Sequence, residues 1–283
     1  MSVSLEGVPA AADVAPAFDR TATLRHQLRT VVVLATSDFK SKYAGSALGY
    51  VWTLAKPLAL FSVLYVIFGL LIKITSLPHY PLLLLIGMVF YLSFQEATST
   101  IMSSVVNQGP LVRRLAFPRL IIPLSTSVTA LFTFAFNASV IALLIGWNRV
   151  VPRVEWLALV PLVVELYLFG LAAGLILAAL FVRFRDIGQV WELVVQILFY
   201  VSPIIYPIQL LPAWAQKLVL LNPLAQTIQD ARAVILHSDA VPSMAGVYGS
   251  MLPRLVPMFL VLLLLVVALR VFQSQAPSFA EHV

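Results

Sequence analysis

Phe39-Lys-Ser-Lys-Tyr-Ala-Gly-Ser-Ala-Leu-Gly-Tyr-Val-Trp-Thr-Leu-Ala-Lys-Pro57 divides the chain into two unlike parts. The residues before it are polar or amphipathic, and those after it are mostly soluble in hydrocarbon. Within it stand three lysines, three aromatic rings after Phe39 and two glycines, with no long apolar run. Such a stretch suits a membrane surface. Lysines meet phosphate headgroups, Tyr43, Tyr50 and Trp52 suit the interface, and Gly45 and Gly49 allow tight turns. Taken alone, this composition also describes a generic juxtamembrane anchor.

The chain of 283 residues is 61% hydrophobic and 11% charged. Soluble domains carry roughly 25% charged residues, so the deficit marks an integral membrane protein. Length then sets a number of spans rather than of soluble domains. The net charge of +6 is spread through the connections between apolar segments, where it sets topology, and is no nucleic-acid signature. The chain has no cysteine, which excludes disulfides and thiolate metal sites, and its histidines (His26, His79, His237, His282) lack metal-ligand spacing. Residues 1–19 carry three acids and no Lys or Arg, the opposite of a signal peptide's basic start.

The expected architecture is all-α, with six transmembrane helices, an N-terminal amphipathic interface helix and a re-entrant helical hairpin between helices 5 and 6. Residues 1–21 read as a disordered cytosolic tail. Residues 22–57 form the interface helix and elbow, with Leu24, Leu28, Val31 and Ala35 at helical spacing and Thr36, Ser37 and Asp38 as caps. Residues 58–272 form the membrane domain, and 273–283 a second cytosolic tail. The spans run over about 58–74, 80–106, 120–147, 157–182, 190–206 and 255–272. Between the last two, in 207–254, the pieces Trp214–Leu221 and Leu224–Leu236 are each too short to cross and are split at Asn222-Pro223. Backbone of this kind is tolerated at membrane depth only inside protein or beside water. With both termini inside, twelve cations fall in inner segments and six, among them Arg232, in outer ones.

No phosphate-cradling Gly-Lys loop, zinc-protease or nucleophile-elbow motif is present, so power for active transport would come from another chain or an ion gradient. Glu96, Glu165 and Glu192 lie in or near spans, where a carboxylate is costly. Each reads as a proton or substrate site, as a paired structural acid, or as an acid near a span end. Gly170 and Gly174 give a small-xxx-small spacing that suits close packing within the chain. Arg113, Arg114 and Arg119 occupy the second inner loop without an acid, either as topology determinants or on a short helix that docks into a partner by Leu111, Leu115 and Phe117. The spans are rich in aromatic rings, of which Phe61, Tyr65, Phe68, Phe199 and Tyr200 are candidates to line a passage for sugar. For any one ring, packing is the simpler role.

Four blocks carry a resemblance. These are the opening stretch; Leu111-Val-Arg-Arg-Leu-Ala-Phe-Pro-Arg119; Arg183-Phe-Arg-Asp-Ile187 with Phe199-Tyr-Val-Ser-Pro-Ile-Ile-Tyr-Pro207; and Leu221-Asn-Pro-Leu224. In this order, over about 23–272, the chain resembles the permease subunit of ATP-driven polysaccharide exporters, the type-2 ABC transporter permeases that move lipid-linked O-antigen, teichoic acid, capsule or galactan across the bacterial cytoplasmic membrane. The resemblance implies a homodimer joined to two copies of an ABC ATPase subunit. That partner binds ATP and Mg, this chain carries no cofactor of its own, and both termini are cytoplasmic. It implies a coupling helix at Leu111, Arg113, Arg114, Leu115 and Phe117, and a portal loop at Leu48-Gly49. It also implies outer-face helices over 212–236, and first and fifth spans that line the channel.

A lipid-pyrophosphate headgroup needs cations and interfacial rings at the inner surface. Lys40, Lys42, Tyr43, Leu48, Gly49, Trp52, Lys56 and Arg185 are the candidates. Membrane lipids and a lipid-linked polysaccharide are the expected partners, nucleic acid is not, and the chain is expected to be a transport subunit rather than an enzyme. Alternatives are a related permease for drugs or small lipids, an integral-membrane glycosyltransferase acting on lipid-linked sugar, and an ion-coupled transporter. The outer loops lack a clustered catalytic acid or arginine, and no inverted repeat is visible.

Overall fold

The computed structural model describes residues 23–43, 51–73, 79–109, 118–237 and 241–279, and every regular element among them is helical. Five stretches are long and apolar enough to cross a membrane: Val51–Leu71, Tyr80–Asn107, Ile121–Trp147, Val154–Arg183 and Leu252–Ser278. They coincide with five of the six expected spans. The sixth, expected over 190–206, holds an apolar helix of 15 residues, Ile187–Val201. At 1.5 Å per residue it rises about 22 Å, against a hydrocarbon core of about 30 Å.

We number the helices α1 (Thr23–Tyr43), α2 (Val51–Leu64, continued by a π-helical turn Tyr65–Leu71), α3 (Tyr80–Asn107), α4 (Ile121–Trp147) and α5 (Leu159–Arg183). They are followed by α6 (Ile187–Val201), α7 (Ala213–Val219), α8 (Pro223–Leu236), α9 (Met244–Tyr248) and α10 (Leu255–Gln275). The centre is α3. Of its most apolar window 72% is buried, against 6% for α2, so α3 is wrapped by protein and α2 leaves most of its surface outward. A helix buried all round must satisfy its own polar side chains. Ser93, Thr98 and Ser104 return their hydroxyls to the carbonyls of Val89, Phe94 and Ile101 at 2.6, 2.9 and 2.7 Å.

α5 lies against α3 where side chains are small. A Cβ on Gly174 would sit 2.7 Å from the Ile101 Cβ, and one on Gly170 3.5 Å from the Ala97 Cβ. Both glycines therefore serve contact inside the chain. On its other side α5 joins α10, where Leu175, Ala178 and Ala179 share a core with Ala268 and Phe272.

α1 runs on through Thr36, Ser37 and Asp38, the expected caps, because Thr36 donates its hydroxyl to Val32 and Val33 carbonyls at 2.9 Å and so stays satisfied inside the helix. The expected elbow narrows accordingly. Its first residues end α1, residues 51–57 begin α2, and 44–50 lie outside the described residues. Val31 and Ala35 are buried as expected, Leu28 is exposed, and the side chain of Leu24 lies outside the described residues. Thr129 donates to the Ala35 carbonyl at 3.2 Å, and the Phe39 and Phe132 rings meet edge-on at 5.8 Å. These pairings advance together, so the last turns of α1 follow α4 in the same direction.

The break expected at Asn222-Pro223 separates α7 from α8. The Asn222 side chain caps α8 by accepting from Leu224 N at 3.0 Å, and Pro223 takes the first turn, where no N–H is needed. α7 has no buried residue, whereas α8 is buried for nearly all its length despite Gln226, Gln229, Asp230 and Arg232. Arg232, expected among the outer loop cations, is instead 0% exposed. Its guanidinium donates to the carbonyls of Leu83 at 2.9 Å, Pro203, and Ile204 at 2.6 Å. Tyr80 donates to the Ile205 carbonyl at 2.8 Å. The chain after α6 is not helical, and these two side chains satisfy three of its carbonyls in succession.

Candidate functional site

Where α1 ends, a cleft of about 680 Å³ opens between α1, α2, α3 and α4. Its shape follows from helical spacing. Trp52, Thr53, Lys56, Pro57 and Leu60 share one face of α2, and Leu92, Gln95, Glu96, Ser99 and Thr100 share one face of α3. Asn137 closes the floor from α4, and Lys42 reaches in from the last turn of α1.

The cleft holds an ion pair between Lys42 and Glu96, whose side chains are 40% and 26% exposed. A pair this exposed contributes about 0–1 kcal/mol to stability, so its place in a cleft is more telling than its strength. Two oxygens on lining residues are buried and have no hydrogen-bond partner among the described residues: Thr53 Oγ1 and Asn137 Oδ1, the latter on a residue 5% exposed. Buried acceptors are costly to leave unmet. The Trp52 ring, half exposed, makes one wall, and Pro57, Leu60 and Leu92 add apolar surface. Two lysines, an aromatic wall and polar lining residues give the cleft the chemistry to hold an anionic, hydroxyl-bearing amphiphile. Nearby, Gln108 donates to Asp38 at 3.4 Å, and partial burial raises the Asp38 carboxyl above its usual pKa against that bond.

Three of the eight expected headgroup residues, Lys42, Trp52 and Lys56, line this cleft. Lys40 is exposed on α1 away from it. Arg185 sits in the turn between α5 and α6 with its guanidinium 5.4 Å from the Phe181 ring centroid. The side chain of Tyr43, together with Leu48 and Gly49, lies outside the described residues, and so do all five expected ATPase-coupling residues, Leu111, Arg113, Arg114, Leu115 and Phe117. Among the aromatic candidates, Phe61, Tyr65, Phe68 and Phe199 pack against the core, with Phe61 and Tyr65 stacked at 5.9 Å. Tyr200 is 62% exposed on α6.

Thr53, Glu96 and Asn137 complete the cleft and were not among the expected site residues. Glu96 is a paired acid, one of the readings its sequence allows, and its partner stands 54 positions away on another helix, beyond any local spacing rule. Asn137, the one carboxamide within Ile121–Trp147, is the available signal. Of the other acids, Glu192 is exposed and Glu165 is buried on α5, with Oε1 unpartnered among the described residues, within electrostatic reach of Asp230 and Arg254. Asp230 accepts from Gln226 Nε2 at 2.8 Å and Met244 N at 2.7 Å and pairs with Arg254 at 3.5 Å, tying α8 to the chain on both sides of α9. Among the described residues no three His, Asp or Glu gather as a metal cluster.

Residues 29–236 match the family described as ABC-2 type transporter. The chain is 27% identical over 252 residues to the O-antigen export system permease protein RfbA of Klebsiella pneumoniae, covering 89% of this chain and 93% of that one. It is 27% identical over 265 residues to the protein of the same name from Myxococcus xanthus, covering 91% and 97%. It is 25% identical over 215 residues to the polysialic acid transport protein KpsM of Escherichia coli, covering 73% and 81%.

Proposed function

The chain belongs to the ABC-2 type transporter family, and on that premise we propose that it is the membrane subunit of an ATP-driven exporter for a polyprenyl-pyrophosphate-linked polysaccharide. The observation that carries the reading is the cleft, with two lysines, a tryptophan wall and unmet acceptors beside the last turn of α1. Relatives named for O-antigen export and polysialic acid transport support a glycan cargo.

In this reading the chain crosses the cytoplasmic membrane of a bacterium six times, with both termini inside. The fifth crossing is α6 extended by the segment after it. Non-helical backbone at that depth is acceptable because Arg232 and Tyr80 satisfy its carbonyls. α1 starts at the inner surface, and α7 with α8 forms the re-entrant hairpin. Two copies, joined to two ABC ATPase subunits that bind ATP and Mg, enclose the polymer path, and Tyr200 is the exposed aromatic candidate along it. ATP binding and hydrolysis rock the spans as rigid bodies through the 111–117 loop.

Depletion of the protein in its host, followed by extraction of glycolipids, tests the function. We expect polyprenyl-pyrophosphate-linked glycan to accumulate on the cytoplasmic side, which would also identify the polymer. An unchanged glycolipid pool with altered sensitivity to a small amphiphile would replace this reading with a drug or lipid exporter.

A further inference from the structure

We propose that Glu96 is a selectivity residue: it competes with the substrate's diphosphate for Lys42 and, once displaced, accepts hydroxyls of the first sugar together with Asn137. The inference rests on the proposed glycolipid function and assigns it residues that the motif resemblance did not supply.

The argument begins with charge. Lys42 and Lys56 bring two positive charges to the cleft and Glu96 one negative charge. A diphosphate entering from the mouth attracts both lysines, and Lys42 already holds a carboxylate. Its transfer to a phosphate oxygen leaves Glu96 beside a dianion. A carboxylate so placed is disfavoured by repulsion and by the loss of its hydrogen-bond donor. It is satisfied only if the ligand brings donors of its own. A bare polyprenyl diphosphate has none at this position, whereas a sugar on the second phosphate carries several hydroxyls.

The floor of the cleft makes the same demand. Asn137 Oδ1 and Thr53 Oγ1 are buried without partners among the described residues, and both residues belong to the lining that includes Glu96. The residues that carry these oxygens, one each on α2, α3 and α4, line one space, with Trp52 as a flat wall against which a pyranose can rest. A site built to hydrogen-bond hydroxyls rejects an analogue that lacks them, because its own polar groups then stay unmet. The cleft accordingly accepts the loaded carrier and refuses the unloaded one. Glu96 supplies the repulsive half of that discrimination and Asn137 the attractive half.

The test uses the full chain in lipid nanodiscs, titrated with polyprenyl diphosphate, with the same lipid carrying one N-acetylglucosamine, and with inorganic pyrophosphate, read by native mass spectrometry. Wild type is expected to prefer the glycosylated lipid. Glu96→Gln should bind the bare lipid about fivefold more tightly and change less toward the glycosylated one, so selectivity narrows. Lys42→Gln should weaken both. Asn137→Leu should weaken the glycosylated lipid alone, by about tenfold. If the ion pair only fastened α1 to α3, Glu96→Gln and Lys42→Gln would act alike, and that result, or an unchanged preference in Glu96→Gln, overturns the inference while leaving the transport function standing. Failure of wild type to bind either lipid overturns both. Inorganic pyrophosphate binding as tightly as the glycosylated lipid would make this a free-anion site and also overturn the inference.

Discussion

Arg232 shows how one side chain can hold a segment that has no secondary structure. It lies on α8, yet its hydrogen bonds reach α3 and the two carbonyls that follow α6 by two and three residues. Room for the guanidinium comes from Gly87, where a Cβ would lie 2.3 Å from Arg232 Nη2 and 3.3 Å from the Ile204 carbonyl oxygen. The methyl of Gly87→Ala would displace the guanidinium from a carbonyl, and its flexible end has nowhere polar to go. We expect a loss of about 1–3 kcal/mol, the range for leaving a buried polar group unsatisfied, seen as a lower unfolding midpoint in detergent. A normal midpoint would mean that the guanidinium can relocate at no cost. Arg232→Met removes the charge and leaves the Pro203 and Ile204 carbonyls unmet, so it should loosen the segment after α6 and raise its hydrogen exchange while the spans stay protected. None of this was legible in the sequence, where a lone arginine in an outer segment resembles any topology charge and the acceptors are backbone atoms 28 and 29 positions away.

At the scale of elements, spans longer than 20 residues declared themselves by apolar length alone, and the α7–α8 break by Asn222-Pro223, because both signals are local. The limits of α1, α2 and α6 were harder. Thr36 looks like a cap in isolation and is a back-bonded helical residue in place. Pro57 looks like a boundary and sits inside α2. The apolar run of α6 continues past Val201 into backbone that tertiary bonds, not helical ones, satisfy. The glycine pair on α5 was legible as a packing spacing, but only the structure ranks its members. Gly174→Leu must push against Ile101, a β-branched residue with no exposed surface on a central helix, and should cost about 2–4 kcal/mol as overpacking of a rigid seam. Gly170→Ala meets Ala97 at ordinary contact distance and should leave the midpoint within about 1 kcal/mol. Equal effects at the two positions, read as unfolding midpoints and as yield of folded protein, would show that α5 can shift along α3. The candidate site was half legible for a related reason. Lysines and tryptophan in a polar stretch advertise a surface role, while an acid and an amide inside apolar helices acquire meaning only when four helices converge on them.

In the proposed exporter the whole molecule converts work done outside the membrane into motion within it, and the charge distribution supports one place for that work to enter. The connection between α3 and α4, an inner one on the proposed topology, carries Arg113, Arg114 and Arg119, has no acid, and joins the most buried of the five long apolar helices to the helix that α1 follows. In the proposed exporter a push delivered there would travel along α3 and α4, the two elements that bring Glu96 and Asn137 to the cleft lining, so the energy source and the proposed glycolipid site would share one lever. Positive-inside topology alone would need these arginines only as charges, and Lys would serve as well; docking to a partner would need the planar, bidentate guanidinium. The double substitution Arg113→Lys, Arg114→Lys therefore separates the two roles. We expect it to insert at wild-type level with the same orientation, retain binding of glycosylated lipid, and lose most glycan export together with co-purification of the ATPase. Export at the wild-type rate would reduce the loop to a topology determinant and move the coupling contact elsewhere. Arg113→Glu, Arg114→Glu should fail in the same way while also disturbing orientation, a difference that reporter fusions on the two sides of the membrane can read.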